Sequence, residues 1–268
     1  MITGIVGLGG VGKTSFMVYK LKEAVINERR KRLSDCVRKI EEFNKTRKTP
    51  LTLPDRAPFY TNFDVTIPIG YKKYFSPYFL NPYYFGLPNL DKEVQAVMPH
   101  GMLFFSETDS VYDSREKSLP AAASGVYNKQ RHFDLDIYIE VHRGMNTDTL
   151  IRGNIHRYNE IQSQEHEKNR LGQIIKTTWH CREFEGEKAY LAYVDSKGSL
   201  NNYTTTEYTH FGNIFEYYNS QGCQKEFIPR EGDDFSLLEQ PGKVNVQALP
   251  EEIAKFYNLS EPKNWREK

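Results

Sequence analysis

The chain has 268 residues, with 36 Lys and Arg against 35 Asp and Glu, and 38% of it is hydrophobic. That length allows one sizeable core with an appendage, and the balanced charge leaves no global basic field to hold a nucleic acid. Cys36, Cys181 and Cys223 lie far apart, without C-x-x-C or zinc-type spacing, which argues against a disulfide scaffold or zinc module and points to a reducing cytoplasm.

The first element is the apolar run Ile2 to Val6, read as a strand. It leads into Gly7, Leu8, Gly9, Gly10, Val11, Gly12, Lys13 and Thr14, which match G-x-x-x-x-G-K-[ST] in full, with Ser15 after them. Strand, glycine-rich loop and helix in that order are the setting of a phosphate-binding P-loop. Its glycines let backbone N–H groups turn inward on a nucleotide's phosphates. Lys13 is expected to reach the β- and γ-phosphates and Thr14 to place its hydroxyl on Mg²⁺, with the helix N-terminus adding positive potential. The expected ligands are therefore ATP and Mg²⁺.

From Lys13 to about Lys45 neither proline nor glycine occurs, and Val18, Leu21, Val25, Leu33, Val37 and Ile40 recur on one helical face. Such a helix would be about 50 Å long at roughly 1.5 Å per residue, so its basic half from Arg29 is expected to project beyond the sheet. Between Lys20 and Pro50 there are eleven Lys and Arg against five Asp and Glu. That cluster is either a solvated face or a contact for a phosphate backbone.

Pro50, Pro54 and Pro58 punctuate a connection that ends at Phe59 to Phe63, read as the second strand. Tyr71 to Phe85 holds eight tyrosines and phenylalanines with Lys72 and Lys73 among them. Such a cluster either packs a loop onto its own domain or stacks unpaired bases.

Met102 to Phe105 is a continuous apolar run, as expected of a central parallel strand. It ends in Ser106, Glu107, Thr108 and Asp109, at the strand end where open α/β sheets bind ligands. Glu107 there can orient the water that attacks the γ-phosphate, and Asp109 or Ser106 can help hold the metal. Pro120 to Gln130 reads as a short helix with a cap near Ser118. Leu135 to Val141 reads as a further strand whose end carries His142 and Arg143, and Asn146 to Arg152 as a helical turn capped by asparagine.

Beyond Gly153 the alternation in Ile155 to Gln164, Ile174 to Glu183, Ala189 to Asp195 and Tyr203 to Thr209 reads as antiparallel strands. Trp179 and Tyr193 are expected in the core. The tail after Pro229 is polar apart from a short helix near Pro250 to Asn258, and reads as an arm. No apolar run nears the roughly 20 residues needed to cross a bilayer, and the amino end lacks the basic region of a secretory signal. A cytoplasmic protein is expected, docked to any membrane through another chain.

Together these motifs resemble the zonular-occludens-toxin-like P-loop ATPases of phages and plasmids, in the FtsK-HerA group of DNA-pumping motors. The likeness rests on the P-loop at the first residues and on Phe59-Tyr60-Thr61-Asn62, similar to a Tyr-Thr-Asn strand. Met102 to Arg115 is similar to the Walker B strand with its trailing Ser-Arg, Arg131 to Ile137 to an Arg-His-x-x-x-Asp-Ile approach to the fourth strand, and Ile151-Arg152 and Phe215 to Ser220 to later motifs. Two positions depart from the pattern. Ser106 stands where the Walker B aspartate normally precedes the catalytic glutamate, and His142 where the polar sensor is usually glutamine.

The resemblance implies a P-loop NTPase of mostly parallel α/β fold, with a core at 1–153, a β-rich extension with antiparallel strands at 154–228 and a tail at 229–268. It also implies a pentameric or hexameric ring that moves DNA, with a portal, capsid or membrane partner. Glu107 would activate water, His142 would sense the γ-phosphate, and Arg131, or Arg152 as second candidate, would reach a neighbouring subunit's site as an arginine finger. The membrane segment that filamentous-phage members carry is not found in the chain, which turns the expectation toward packaging or transfer. A nucleotide kinase and a nucleotide-gated assembly protein of weak turnover are the alternatives; no compact arginine lid favours the first, while the uncharged Ser106 favours the second.

Overall fold

The computed structural model describes residues 1–82, 85–88, 95–108, 119–142 and 148–218, and of His142 the backbone alone. The strands are β1 (Ile2–Gly7), β2 (Phe59–Thr61), β3 (Ile67–Gly70), β4 (Lys73–Phe75), β5 (Tyr78–Phe79), β6 (Phe85–Gly86), β7 (Gln95–Ala96), β8 (Met102–Phe105), β9 (Asp136–His142), β10 (Arg157–Lys168), β11 (Ile174–Glu185) and β12 (Thr204–Phe211). The helices are α1 (Lys13–Asn44), α2 (Ala121–Lys129), α3 (Thr149–Gly153) and α4 (Gly186–Asp195), with a 3₁₀ turn at Ile214–Glu216.

One 8-stranded sheet runs β12-β11-β10-β1-β9-β8-β2-β5. From β10 to β5 every pairing is parallel, while β10–β11 and β11–β12 are antiparallel. The strands after Gly153 therefore continue the main sheet, and β10 pairs in parallel with β1. β1 lies between β9 and β10, so the loop that follows it opens at the middle of the sheet's carboxyl edge, where parallel α/β sheets take ligands.

Alternation along the central strands sorts their side chains onto two faces. Ile5, Met102 and Phe104 pack under α1 against Phe16, Met17, Val18, Leu21 and Val25, together with Trp179 and Cys181 from β11. Ile2, Val6, Leu103, Phe105, Ile137, Ile139 and Val141 pack on the other face against Val126 and Tyr127 of α2, Ile151 of α3 and Tyr190 of α4. This gives a helix–sheet–helix sandwich, as expected of a strand–helix alternation.

α1 runs 32 residues, about 48 Å at 1.5 Å per residue. Its second half is not simply projecting: Cys36 and Ile40 are buried with Leu51, Ala96 and Met98 in a smaller core. Arg32, from the basic cluster, donates to the carboxylates of Asp136 at 2.6 Å and Glu28 at 2.7 Å. Asp136 also takes the Met1 ammonium at 2.9 Å. Burial alone would raise its carboxyl, but the ammonium and Arg32 outweigh that and hold it below its ordinary value.

Three local expectations change. Ala189 to Asp195 lies in α4, because Tyr190 and Tyr193, three apart, share its buried face. α2 begins at Ala121 with Pro120 at its N-cap position and no side-chain cap, and Ser118 lies outside the described residues. The cap of α3 is Asp148, whose side chain accepts from Leu150 N, and Asn146 lies outside the described residues. Of the aromatic cluster, Phe75, Tyr78, Phe79 and Phe85 are buried, whereas Tyr71 and Tyr74 stand exposed at the β3–β4 turn. Tyr83, Tyr84, Cys223 and the tail with its expected helix also lie outside the described residues.

Candidate nucleotide-binding site

The loop after β1 has the backbone that its glycines permit. Gly7 adopts φ 153°, and a β-carbon there would meet Val11 Cγ2 at 2.8 Å and the Ile161 carbonyl at 2.9 Å, so no larger residue fits. Gly12 is left-handed at φ 90° and opens α1 with no side-chain cap, and the first turn of α1 carries no acidic residue. Its leading N–H groups, which an N-cap side chain would otherwise take, are thus set at the start of a long helix dipole, an arrangement suited to an anion.

Lys13, 5% exposed, donates to the Leu8 carbonyl at 3.2 Å. Its ammonium also lies 3.6 Å from Oε1 of Glu140. Glu140 belongs to β9, is 4% exposed, and takes two hydroxyls on Oε2: Thr14 Oγ1 at 3.0 Å and Ser106 Oγ at 2.8 Å. One buried carboxylate therefore touches the P-loop lysine, the P-loop threonine and the residue that closes β8.

Neighbouring groups fix that carboxylate's surroundings. Thr108 Oγ1 donates to the Glu140 carbonyl at 2.6 Å. Asn62, just beyond β2, bonds both backbone polar groups of Ser106. On the other flank Ser15 Oγ donates to the Gly12 carbonyl at 2.8 Å and accepts from Gln164 Nε2 at 2.7 Å and Trp179 Nε1 at 3.2 Å. That uses the full capacity of a hydroxyl, so β10 and β11 are tied directly to the first turn of α1.

The expected site residues divide into two groups. Gly7 to Ser15 and Ser106 lie together at the carboxyl edge. Glu107 follows there, half-buried, with φ 52°, a left-handed conformation uncommon for a residue other than glycine. His142 is paired with Gly7 in the β1–β9 ladder; its side chain, Arg143, Arg115 and Asp109 lie outside the described residues. Arg131 and Arg152 lie elsewhere. Arg131 Nη2 is 2.7 Å from His156 Nε2, and His156 Nδ1 accepts from Ile2 N at 3.2 Å. Burial first, then Arg131 and the amino terminus, push the His156 imidazole's affinity for a proton down. That places Arg131 at the amino-terminal end of β1, away from the P-loop of its own chain. Arg152 approaches Glu187 of α4 at 3.9 Å.

Sequence reading missed Glu140, Gln164 and the hydrogen bond of Trp179. The sequence held only a weak signal for the first: Glu140 lies between Ile139 and Val141 near the end of a strand read as central, and a carboxylate buried there must find a partner. Thr14 Oγ1, Ser106 Oγ and the Glu140 carboxylate are all oxygen donors. They fit Mg²⁺, which takes one or two carboxylates and completes its shell with phosphate oxygens and water.

No protein-family profile matches the chain, and comparison with curated proteins gives no match. Among solved structures, the chain is similar to the N-terminal domain of zonular occludens toxin from Neisseria meningitidis, at 16% identity and TM-score 0.43, over 81% of this chain and 98% of that one. It is also similar to the genome packaging NTPase B204 of Sulfolobus turreted icosahedral virus 2 in complex with ATP-gammaS, at 10% identity and TM-score 0.33, over 79% and 97%. The complex of that NTPase with AMPPCP gives 8% identity and the same score of 0.33. No described helix is long and apolar enough to cross a membrane.

Proposed function

We propose that this chain binds ATP with Mg²⁺ on Gly7 to Ser15 and hydrolyses it as one subunit of a ring that moves DNA. The observation that carries nucleotide binding is the convergence of the buried Lys13 and the half-buried Thr14 on a single buried carboxylate at the carboxyl edge of a parallel sheet, beside an uncapped helix N-terminus. In this reading the loop amides and Lys13 bind the phosphates, and Thr14 and Ser106, with Asp109, face the metal. A bound Mg²⁺ would neutralise phosphate charge. Glu107 orients water for in-line attack, and His142 reads the γ-phosphate. The ring, the DNA and a portal, capsid or membrane partner rest on the motif resemblance.

The test is ATP binding and turnover, with and without DNA, alongside the size of the assembled particle. Lys13→Ala should abolish binding and turnover together, whereas Glu107→Gln should abolish turnover and leave binding intact. The second reading is a nucleotide-gated assembly protein, favoured by the uncharged Ser106 at the end of β8. It wins if ATP binds but no turnover is measured at high protein concentration with DNA present. Failure of the wild-type chain to bind ATP removes both readings.

A further inference from the structure

We infer that Glu140, carried by β9, is the carboxylate that anchors the nucleotide's Mg²⁺ in this chain, taking over the task that an acid at the Ser106 position would perform. The inference rests on the proposed ATP·Mg²⁺ site and identifies a residue of it that the motif pattern does not contain.

The register makes the exchange possible. Phe105 of β8 pairs with Ile139 of β9, and Ile5 of β1 pairs with Glu140. Ser106 and Glu140 therefore stand side by side, each one position past a paired residue, at the edge where the P-loop departs. A negative charge removed from the end of β8 and supplied from β9 moves by one strand spacing, about 4.8 Å. Ser106 Oγ bridges that gap by donating to Glu140 Oε2 at 2.8 Å. Ser106 thus orients the carboxylate, which carries the charge.

The contact with Thr14 is compatible with the role. Two oxygens in adjacent positions of an octahedral shell, each at about 2.1 Å from Mg²⁺, stand about 3 Å apart. Thr14 Oγ1 and Glu140 Oε2 are 3.0 Å apart. The two oxygens are hydrogen-bonded to each other, and that separation is one that neighbouring ligands of Mg²⁺, or a ligand and the acceptor for a ligand water, would also have. Both hydroxyls converge on Oε2 while the Lys13 ammonium approaches Oε1 at 3.6 Å, so the carboxylate serves the lysine with one oxygen and faces Thr14 with the other. With Glu140 4% exposed, bulk water does little to screen its charge from an ion at Thr14.

The test compares ATP affinity of the full chain in Mg²⁺ and in EDTA, and the affinity of Mn²⁺ for the ATP complex read by its electron paramagnetic resonance. Glu140→Gln keeps an acceptor for Ser106 and Thr14 and removes the charge, and with it the ion pair to Lys13. Its Mn²⁺ affinity in the ATP complex should fall by at least about tenfold, well beyond any change in its affinity for metal-free ATP, which reports the loss of the Lys13 pair. Ser106→Asp combined with Glu140→Gln returns the charge to β8 and should recover most of that loss. If Glu140→Gln alone does not fold, the same comparison is made between wild type and the double variant, where equal Mn²⁺ affinity supports the inference and a tenfold loss opposes it. Unchanged Mn²⁺ affinity in folded Glu140→Gln overturns the inference and leaves ATP binding standing. A wild-type chain that binds no ATP overturns the proposed function itself.

Discussion

Asn62 and Ser106 hold each other twice, Asn62 Nδ2 donating to the Ser106 carbonyl at 2.9 Å and Ser106 N donating to Asn62 Oδ1 at 2.8 Å. The side chain of Asn62 acts as a further rung between β2 and β8 at the point where their backbone ladder stops. It satisfies a buried N–H and a buried C=O that would otherwise face apolar surroundings. Ser106 in turn presents its hydroxyl to Glu140, so Asn62 acts on the site through the backbone it fixes.

Asn62→Ala should therefore cost about 2–4 kcal/mol, because two buried backbone groups lose their partners at once. Asn62→Asp should cost at least as much at pH 7, since its carboxylate still accepts from Ser106 N but is buried without a counter-charge and turns an oxygen toward the Ser106 carbonyl. Urea unfolding measures both. If Asn62 sets the site as well as the fold, ATP turnover at a temperature where the variants remain folded falls in the same order. Equal stability of wild type and Asn62→Ala would show that water replaces the side chain at no cost.

The coupling of Ser15 to Trp179 gives a direct optical reading of the loop. Trp179 is fully buried and edge-on to Phe16, with its Nε1 3.2 Å from Ser15 Oγ. Binding of ATP at the start of α1 should change its emission, and Trp179→Phe should abolish the change. Trp179→Phe keeps an aromatic ring against Phe16, forfeits one neutral hydrogen bond and leaves the space of the larger ring, a loss of about 2–3 kcal/mol. An unchanged ATP-dependent signal in Trp179→Phe would assign it to Trp265, the second of the 2 tryptophans.

These residues mark what the sequence could convey. The P-loop was legible because its demands are local: the φ of Gly7 and the crowding around it follow from consecutive residues and the strand that precedes them. The central strands were legible because continuous apolar runs belong to buried parallel strands. Glu140 was not, since in Leu-Asp-Ile-Tyr-Ile-Glu-Val it reads as the polar half of an alternation. Only the strand order β1-β9-β8 brings it between the P-loop and Ser106. Gln164 and Trp179 were hidden likewise, being over 140 residues from the Ser15 they bond. α4 was misread because Ala-Tyr-Leu-Ala-Tyr-Val satisfies a period of two as well as a spacing of three, and its packing on β10 and β11 decides for helix.

Arg131 lies beside His156 and the start of β1, so any contact it makes with a bound triphosphate must be with that of another copy. If it acts across a subunit boundary, Arg131→Ala and Glu107→Gln proteins, each inactive alone, should regain turnover when mixed. A mixed interface can pair an intact arginine with an intact glutamate, and with random assembly about a quarter of interfaces would do so, a few-fold to tenfold below wild type if sites act independently. Absence of any recovery, with mixed particles verified by size, returns Arg131 to its partnership with His156 inside one chain.

Stability at mild acid should depend on His210. Its side chain is buried at 4% exposure, packed against Tyr19 and Tyr217, and its Nδ1 lies 3.4 Å from the Lys22 ammonium. Burial first, and then the Lys22 charge, lower its pKa from the ordinary 6.5 to about 4. The unfolded chain takes up a proton at about pH 6.5 that the folded chain refuses until about pH 4, so folding loses free energy as the pH falls through that window. The loss reaches about 2 kcal/mol by pH 5 and levels off below about pH 4. His210→Phe keeps an aromatic ring against Tyr19 and Tyr217 and removes the titration. The fall in urea midpoint between pH 7 and pH 5 should therefore be smaller in the variant than in the wild type. Parallel slopes for the two proteins would mean that the imidazole takes its proton inside the fold, with Tyr217 or solvent turning to accommodate it.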